Sequence, residues 1–416
     1  MGLRSNLFAT LALAGACGML ALPSVASAAA GDLDPSFSGN GIAYGAPRSG
    51  TWHVAVDSKN RILTVAGSDV VTRFLPNGKL DTSFSGNGLA RVPFSTDSIA
   101  VDARGRVIVG GGAEVPGNTD HRHGFGSGFA VARLKANGKL DPSFSGNGAV
   151  VTQIGGSLSD GVNAVAVDQQ GRIVAAGTSG ARHYGSTEFA VARYLANGKP
   201  DNSFSGDGQT RTRFPNDVDS YTKGLALDSK GRIVVAGAGG GIAVARYTPA
   251  GNLDRAFSQD GMLIADLPTY NAAETVAVDG LDRVVVGADN ENGFAILRYR
   301  PNGTVDRTFS GDGVASTGTF GHDVALNYGL AIDDEGRIVV SGSAWTNSVG
   351  GNRVVFALAR LTPQGKLDPS FSQDGLVTTS IGREAWGRGL ALDSRGRILV
   401  AGVGKGQPVV ARYLGG

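Results

Sequence analysis

The stretch AVARYLANGKPDNSFSGDG, residues 190–208, decides the fold. An apolar run ends in Arg193-Tyr194, a short Gly-containing turn follows, and an Asp-x-Ser-Phe element leads into Gly-Asp-Gly. The same junction recurs through the chain. Its two outermost copies are cut in complementary ways. LDPSFSGNG (33–41) has no VARY-like run directly before it, and PVVARYLGG (408–416) has no Asp-x-Ser-Phe after it. Two halves of one repeat at opposite ends are what a closed ring of repeats requires. An open solenoid needs atypical end caps instead.

Outward from that junction, each of seven units reads as four strand-like runs. The first run ends at Asp57, Asp102, Asp168, Asp228, Asp279, Asp333 and Asp393, with Ala two places earlier in every copy. Large–small–large alternation suits the crowded innermost strand of a radial array. The second run is RIVAAG-like and the third FAVARY-like. The fourth is expected to start at LDxSF, and Pro35, Pro142 and Pro369 inside it mark it as the outer, edge strand.

Turn chemistry sets the register. Three residues separate the first-run Asp from the next Arg, and the third is Gly, Asn60 or Asp282, types that accept a left-handed backbone. Asp57 then faces Arg61. At the second tight hairpin the same counting brings Arg73 opposite Asp81 and Arg193 opposite Asp201. In the split repeat the pair is Arg412 with Asp34, joining the chain's ends. Sevenfold repetition makes these pairs structural rather than catalytic, since opposite charges across strands support pairing.

Four antiparallel strands in sequence put both tight hairpins on one face of the ring. The second-to-third loops and the crossings between units share the other face, and their lengths vary widely, as binding loops on repeat arrays do. All five His and all three Trp fall in these variable segments. The candidate ligand-binding residues are Trp52, His53, His121, His123, His183, Tyr184, His322, Trp345 and Trp386, aromatic platforms suited to a glycan or a protein ligand. The bland alternative is that non-repeating loops collect non-repeating residue types by default. The His-Arg-His run at 121–123 has no Cys partner for a metal site nearby, and no metal, and no other cofactor, is expected.

Composition narrows the classes further. With 416 residues and 41% hydrophobic content the chain can pack a core. Its 38 basic and 36 acidic residues leave no footprint for nucleic acid. Residues 1–28 read as a secretory signal peptide. Arg4 precedes an apolar run from Leu7 to Leu22, and Ala26-Ser27-Ala28 offers a cleavage site near 28–30. Export to the periplasm or beyond is expected, with no membrane span after cleavage. Cys17, the one cysteine, lacks the large aliphatic residue three places upstream that lipid attachment uses. No G-x-S-x-G, H-E-x-x-H or phosphate-binding loop appears. The Gly-Asn-Gly elements recur at 47 to 62 residues rather than at nine, which speaks against a calcium roll.

The run VARYLANGKLDPSFSGDG, allowing for variation between copies, together with LALDSKGRIVVAG, resembles the bacterial delta-60 repeat over nearly the whole of residues 31–416. That resemblance implies propeller blades and brings no assigned activity. The expected protein is all-β: a single seven-bladed β-propeller over 31–416, four antiparallel strands per blade, closed by the N-terminal strand. A non-enzymatic, monomeric binding module is the leading functional expectation. A propeller hydrolase or lyase, or a surface-assembly component, stands as the alternative.

Overall fold

The computed structural model describes residues 28–45, 53–65, 67–120, 124–154, 160–180, 187–215, 218–265, 272–290, 293–320, 325–346 and 353–416. Among them, twenty-eight strands form seven blades of four antiparallel strands in one ring. The innermost strands are His53–Val56, Ser95–Val101, Asp160–Val167, Tyr221–Leu227, Ala273–Val278, Ala325–Ile332 and Ala385–Leu392, which number blades 1 to 7. One backbone pair, Asn290 with Ala325, links the second strand of blade 5 to the innermost strand of blade 6.

Blade 7 is completed across the chain. Ile42–Tyr44 pairs antiparallel with Gln407–Tyr413, setting Ile42 against Ala411 and Tyr44 against Val409. The cut falls inside a tight turn: Leu414 N–H donates to Asp32 O and Gly31 N–H to Leu414 O, both at 2.9 Å. Intact blades make the same two bonds, as between Leu75, Lys79 and Gly78.

The second and third strands of each blade are buried almost throughout, for example Ile242–Tyr247. Both faces of a blade lie against neighbours, so these strands are apolar runs rather than alternating ones. The hydrophobic core therefore sits between blades. Phe129 and Val131 of blade 2 pack with Val162, Val165 and Ile173 of blade 3.

One expectation needs correcting. LDxSF does not open the outer strand. In blade 1 it makes only an isolated bridge, Leu80 with Phe74, and the outer strand proper is Leu89–Arg91. Between them residues 81–88 loop out. Asp81 N–H bonds Arg73 O and Arg73 N–H bonds Gly88 O, both at 2.9 Å, closing the excursion. Its tip buries Phe84 completely and holds Ser85 in the left-handed region, φ 56°. The proline at 35, 142 and 369 therefore stands in a turn, where no ladder bond is asked of it.

This excursion clasps the next blade. Ser85 N–H donates to Asn137 O of blade 2 at 2.7 Å, and the bond repeats around the ring to Ser372 N–H and Ala30 O at 2.9 Å. Behind it lies a fully buried arginine. Arg73 Nε donates to Asp81 Oδ2 at 2.8 Å, Nη1 to Ala136 O of the next blade at 2.5 Å, and Nη2 to Ser83 Oγ at 3.3 Å. The guanidinium also lies 4.3 Å from the Phe84 ring centroid.

In blade 7 the same clasp spans the chain ends. Arg412 Nε donates to Asp34 Oδ2 at 2.9 Å, Nη2 to Ser36 Oγ at 3.0 Å, and Nη1 to Pro76 O of blade 1. Burial alone would raise the Asp34 carboxyl. Hydrogen bonds from Ser36 and the charges of Arg412 and Arg397 outweigh it and hold that carboxyl below the ordinary carboxylate range. The first hairpins carry their own pairs, such as Arg61 Nε to Asp57 Oδ2 at 2.6 Å.

Candidate functional site

Six of the seven innermost strands share a defect. Their pairing with the second strand slips between residues 96 and 98, 162 and 164, 222 and 224, 273 and 275, 327 and 329, and 387 and 390. Such a bulge lifts a residue out of the ladder and re-aims its side chain. The displaced residues are Asp97, Asn163, Lys223, Glu274, Tyr328 and Arg388. With His53 from blade 1 they line one cavity of about 210 Å³. Each blade contributes one residue, so the cavity lies on the ring axis. A second axial cavity of about 200 Å³ shares His53, Lys223, Glu274 and Tyr328 and adds apolar walls from Val54, Val165, Leu225, Val276, Leu330 and Leu390.

The ring of side chains belongs to the long-loop face. Six of the seven stand five residues before the Asp that opens the tight hairpin, near the strand's opposite end. Neighbouring blades are bonded where they meet the channel: Val165 N–H donates to Ser98 Oγ at 3.0 Å.

Charge is distributed unevenly around the ring. Lys223 Nζ and Glu274 Oε2 form an ion pair at 3.2 Å. The Arg388 guanidinium lies 4.6 Å from the Tyr328 ring centroid. Burial, reinforced by the Arg388 charge, pushes His53 down to about 4, so its imidazole is neutral at neutral pH. Burial also raises the Asp97 carboxyl.

Of the residues expected to bind ligand, His53 lines the axial cavity. Trp345 of blade 6 and Trp386 of blade 7, both half-buried, meet edge to face with centroids 5.1 Å apart at 79°. Trp386 precedes Arg388 by two residues on one strand. Trp52, His121, His123, His183, Tyr184 and His322 lie outside the described residues. Sequence reasoning passed over Asp97, Asn163, Lys223, Glu274 and Arg388 as site residues. The usable sign was position: five residues before an unvarying Asp, the residue type differs in every copy, with Trp52 at that place in the first.

A larger space of about 780 Å³ lies on the outer side of blade 3, beside Glu188, Asp207, Gln209, Arg211 and Arg213. It is the weaker candidate, because Glu188 already pairs with Arg213 at 3.0 Å and Arg211 at 3.6 Å and no other blade's inner strand reaches it. Among the described residues no group of three or more His, Cys, Asp or Glu is placed to hold a metal ion. Nor does any helix among them have the length and apolarity to cross a membrane.

The family model described as "Domain of unknown function (DUF5122) beta-propeller" matches residues 105–144, 171–204, 231–257, 282–309 and 336–371. With the seven blades observed, the chain is a β-propeller repeat protein. No curated protein matches it. Among solved structures it is similar to the WD40 beta propeller domain of Doa1, with 11% identity over 90% of this chain and 97% of that one and a TM-score of 0.51. U3-55K gives 10% identity, 89% and 98% coverage and a TM-score of 0.53. YCF48, solved bound to D1 peptide, gives 10% identity, 95% and 99% coverage and a TM-score of 0.50. At such identities the likeness shows the fold alone.

Proposed function

We propose that the protein is an exported, monomeric, non-enzymatic binding module built from delta-60-type repeats, with its ligand recognised on the long-loop face where the axial channel opens. One observation carries this reading. Framework positions converge on a single residue type around the ring, whereas the seven axial positions carry His, Asp, Asn, Lys, Glu, Tyr and Arg. A position that served packing alone would converge as the clasp Arg and Asp do. Seven different polar groups converging on one cavity suit recognition of a particular ligand. The Trp345–Trp386 pair offers an aromatic surface beside it for a glycan or a protein segment. YCF48 with its D1 peptide is one case of a peptide held by this fold.

The test is a binding screen of glycans, peptides and small metabolites on protein lacking residues 1–28. The variants are Asn163→Trp, which fills the channel mouth, and the double substitution Trp345→Ala/Trp386→Ala. Arg104→Glu, in a tight hairpin on the opposite face, serves as the control. At least one ligand class is expected to lose tenfold or more in affinity with the first two and nothing with the third. Loss only with Arg104→Glu, or no ligand at all, sinks the reading.

A further inference from the structure

We infer that the axial channel takes a small primary amine with an apolar tail, its ammonium on the arc of His53, Asp97 and Asn163 and its tail in the apolar belt beneath. This rests on the long-loop face being the binding face. Charge selects the head group. Around the ring Lys223 pairs with Glu274, and Arg388 is engaged over the Tyr328 ring. Asp97 differs. Its side chain makes no hydrogen bond or ion pair among the described residues, although it is half-buried and desolvated. Its neighbours on the ring are His53 of blade 1 and Asn163 of blade 3, and neither supplies a counter-charge. The His53 side chain also lacks a partner among the described residues, and burial keeps its imidazole neutral.

Three adjacent blades thus present a carboxylate, an amide oxygen and a neutral ring nitrogen. The Asn163 oxygen receives the Thr178 hydroxyl only at 3.5 Å, which leaves it room for a second donor. A primary ammonium carries three donors, no acceptor and one positive charge. It meets all three groups and compensates the carboxylate. A hydroxyl leaves that charge desolvated and unpaired, and an anion repels it. A trimethylammonium brings the charge without the donors.

Depth selects the tail. Two residues beyond five of the ring positions, toward the tight-hairpin end, stand Val165, Leu225, Val276, Leu330 and Leu390. They wall the second axial cavity, which adjoins the first through shared lining residues. The two spaces, of about 210 and about 200 Å³, hold about seven waters each at ~30 Å³ per water, too little for a polymer. From the long-loop face a ligand passes the polar ring before it reaches the belt. Its apolar end therefore leads and its charged end stops at the ring. A lysine side chain of a peptide has the opposite order and would carry its ammonium into the belt.

Isothermal titration calorimetry with butylamine through octylamine tests this, beside the matching alcohols, carboxylates and trimethylammonium analogues and a lysine peptide with blocked ends. At least one primary amine is expected to bind one to one, tightening about fourfold per methylene until the belt is full. The three analogues should each bind tenfold or more weaker. Asp97→Asn should remove the preference for amine over alcohol. If that variant fails to fold, the analogue series on the unaltered protein still decides. Equal affinity for amines and alcohols, a preference for the lysine peptide, or amine binding unchanged by Asp97→Asn overturns the inference. Absence of amine binding alongside a glycan or peptide ligand sensitive to Trp345 and Trp386 also overturns it and leaves the binding-face reading intact. Silence in every screen overturns both.

Discussion

Six of the seven clasp arginines spend their three nitrogens on three different partners, and the seventh clasp is incomplete. Six blades carry Ser or Thr two residues after the clasp Asp, at 36, 83, 143, 203, 308 and 370, and each hydroxyl accepts from Nη2 at 2.9–3.3 Å. Blade 4 has Ala256 there, and buried Arg246 Nη2 is left without a partner. An unmet buried donor costs about 1–3 kcal/mol. Ala256→Ser should therefore stabilise the protein by about 1 kcal/mol, seen as a raised midpoint in chemical denaturation. An unchanged or lowered midpoint would mean that the donor is satisfied some other way. At this scale the sequence was half legible. Which Asp faces which Arg follows from counting out of a short turn. The reach of Nη1 to a carbonyl 55 to 65 residues along the chain does not, because no local pattern encodes how closely two blades approach. The axial ring was hidden for a related reason. A bulge is a property of pairing, so its displaced residue is visible only by aligning copies against their shared Asp.

The excursion at residues 81–88 and its six relatives are the elements that turn separate blades into neighbours. Its sequence, Leu-Asp-x-Ser-Phe, alternates in polarity as a half-buried strand does, which is why it reads as one. What overrides that pattern is the left-handed Ser at each tip and the glycines after it, conformations that no continuous ladder accepts. The clasp also shapes the turn it grips. A Cβ on Gly138, at φ +84°, would lie 2.9 Å from the Phe84 ring. Gly146 has nearly the same φ, +83°, with nothing within 4 Å. Replacing either by Ala meets the left-handed cost of roughly 1–2 kcal/mol. Gly138→Ala should cost clearly more than Gly146→Ala, by about 1 kcal/mol or above as a buried ring is displaced. Equal losses in denaturant unfolding would show that the Phe84 contact yields freely.

Around the whole molecule the seven clasps are alike in chemistry and unequal in connectivity. Arg193 and Asp201 are eight residues apart on one hairpin, whereas Arg412 and Asp34 are separated by 378. Removing one partner of a buried pair costs about 3–5 kcal/mol. Arg193→Ala leaves its strands tethered by a short turn, but Arg412→Ala loosens the seam where only non-covalent bonds hold blade 7 together. Arg412→Ala should thus lower stability more than Arg193→Ala in paired urea titrations, and the reverse ranking would contradict closure through this pair. The carbonyl bonds of the clasp arginines carry a further consequence. Arg73 reaches blade 2, its counterparts pass the contact onward, and Arg412 returns it to blade 1. Such a cycle has no terminal member, so no blade is predisposed to fray ahead of the others. An open stack sheds its end repeats first. Here amide exchange in the buried second and third strands of all seven blades would share one opening event, and local melting would wait until a seam had already parted.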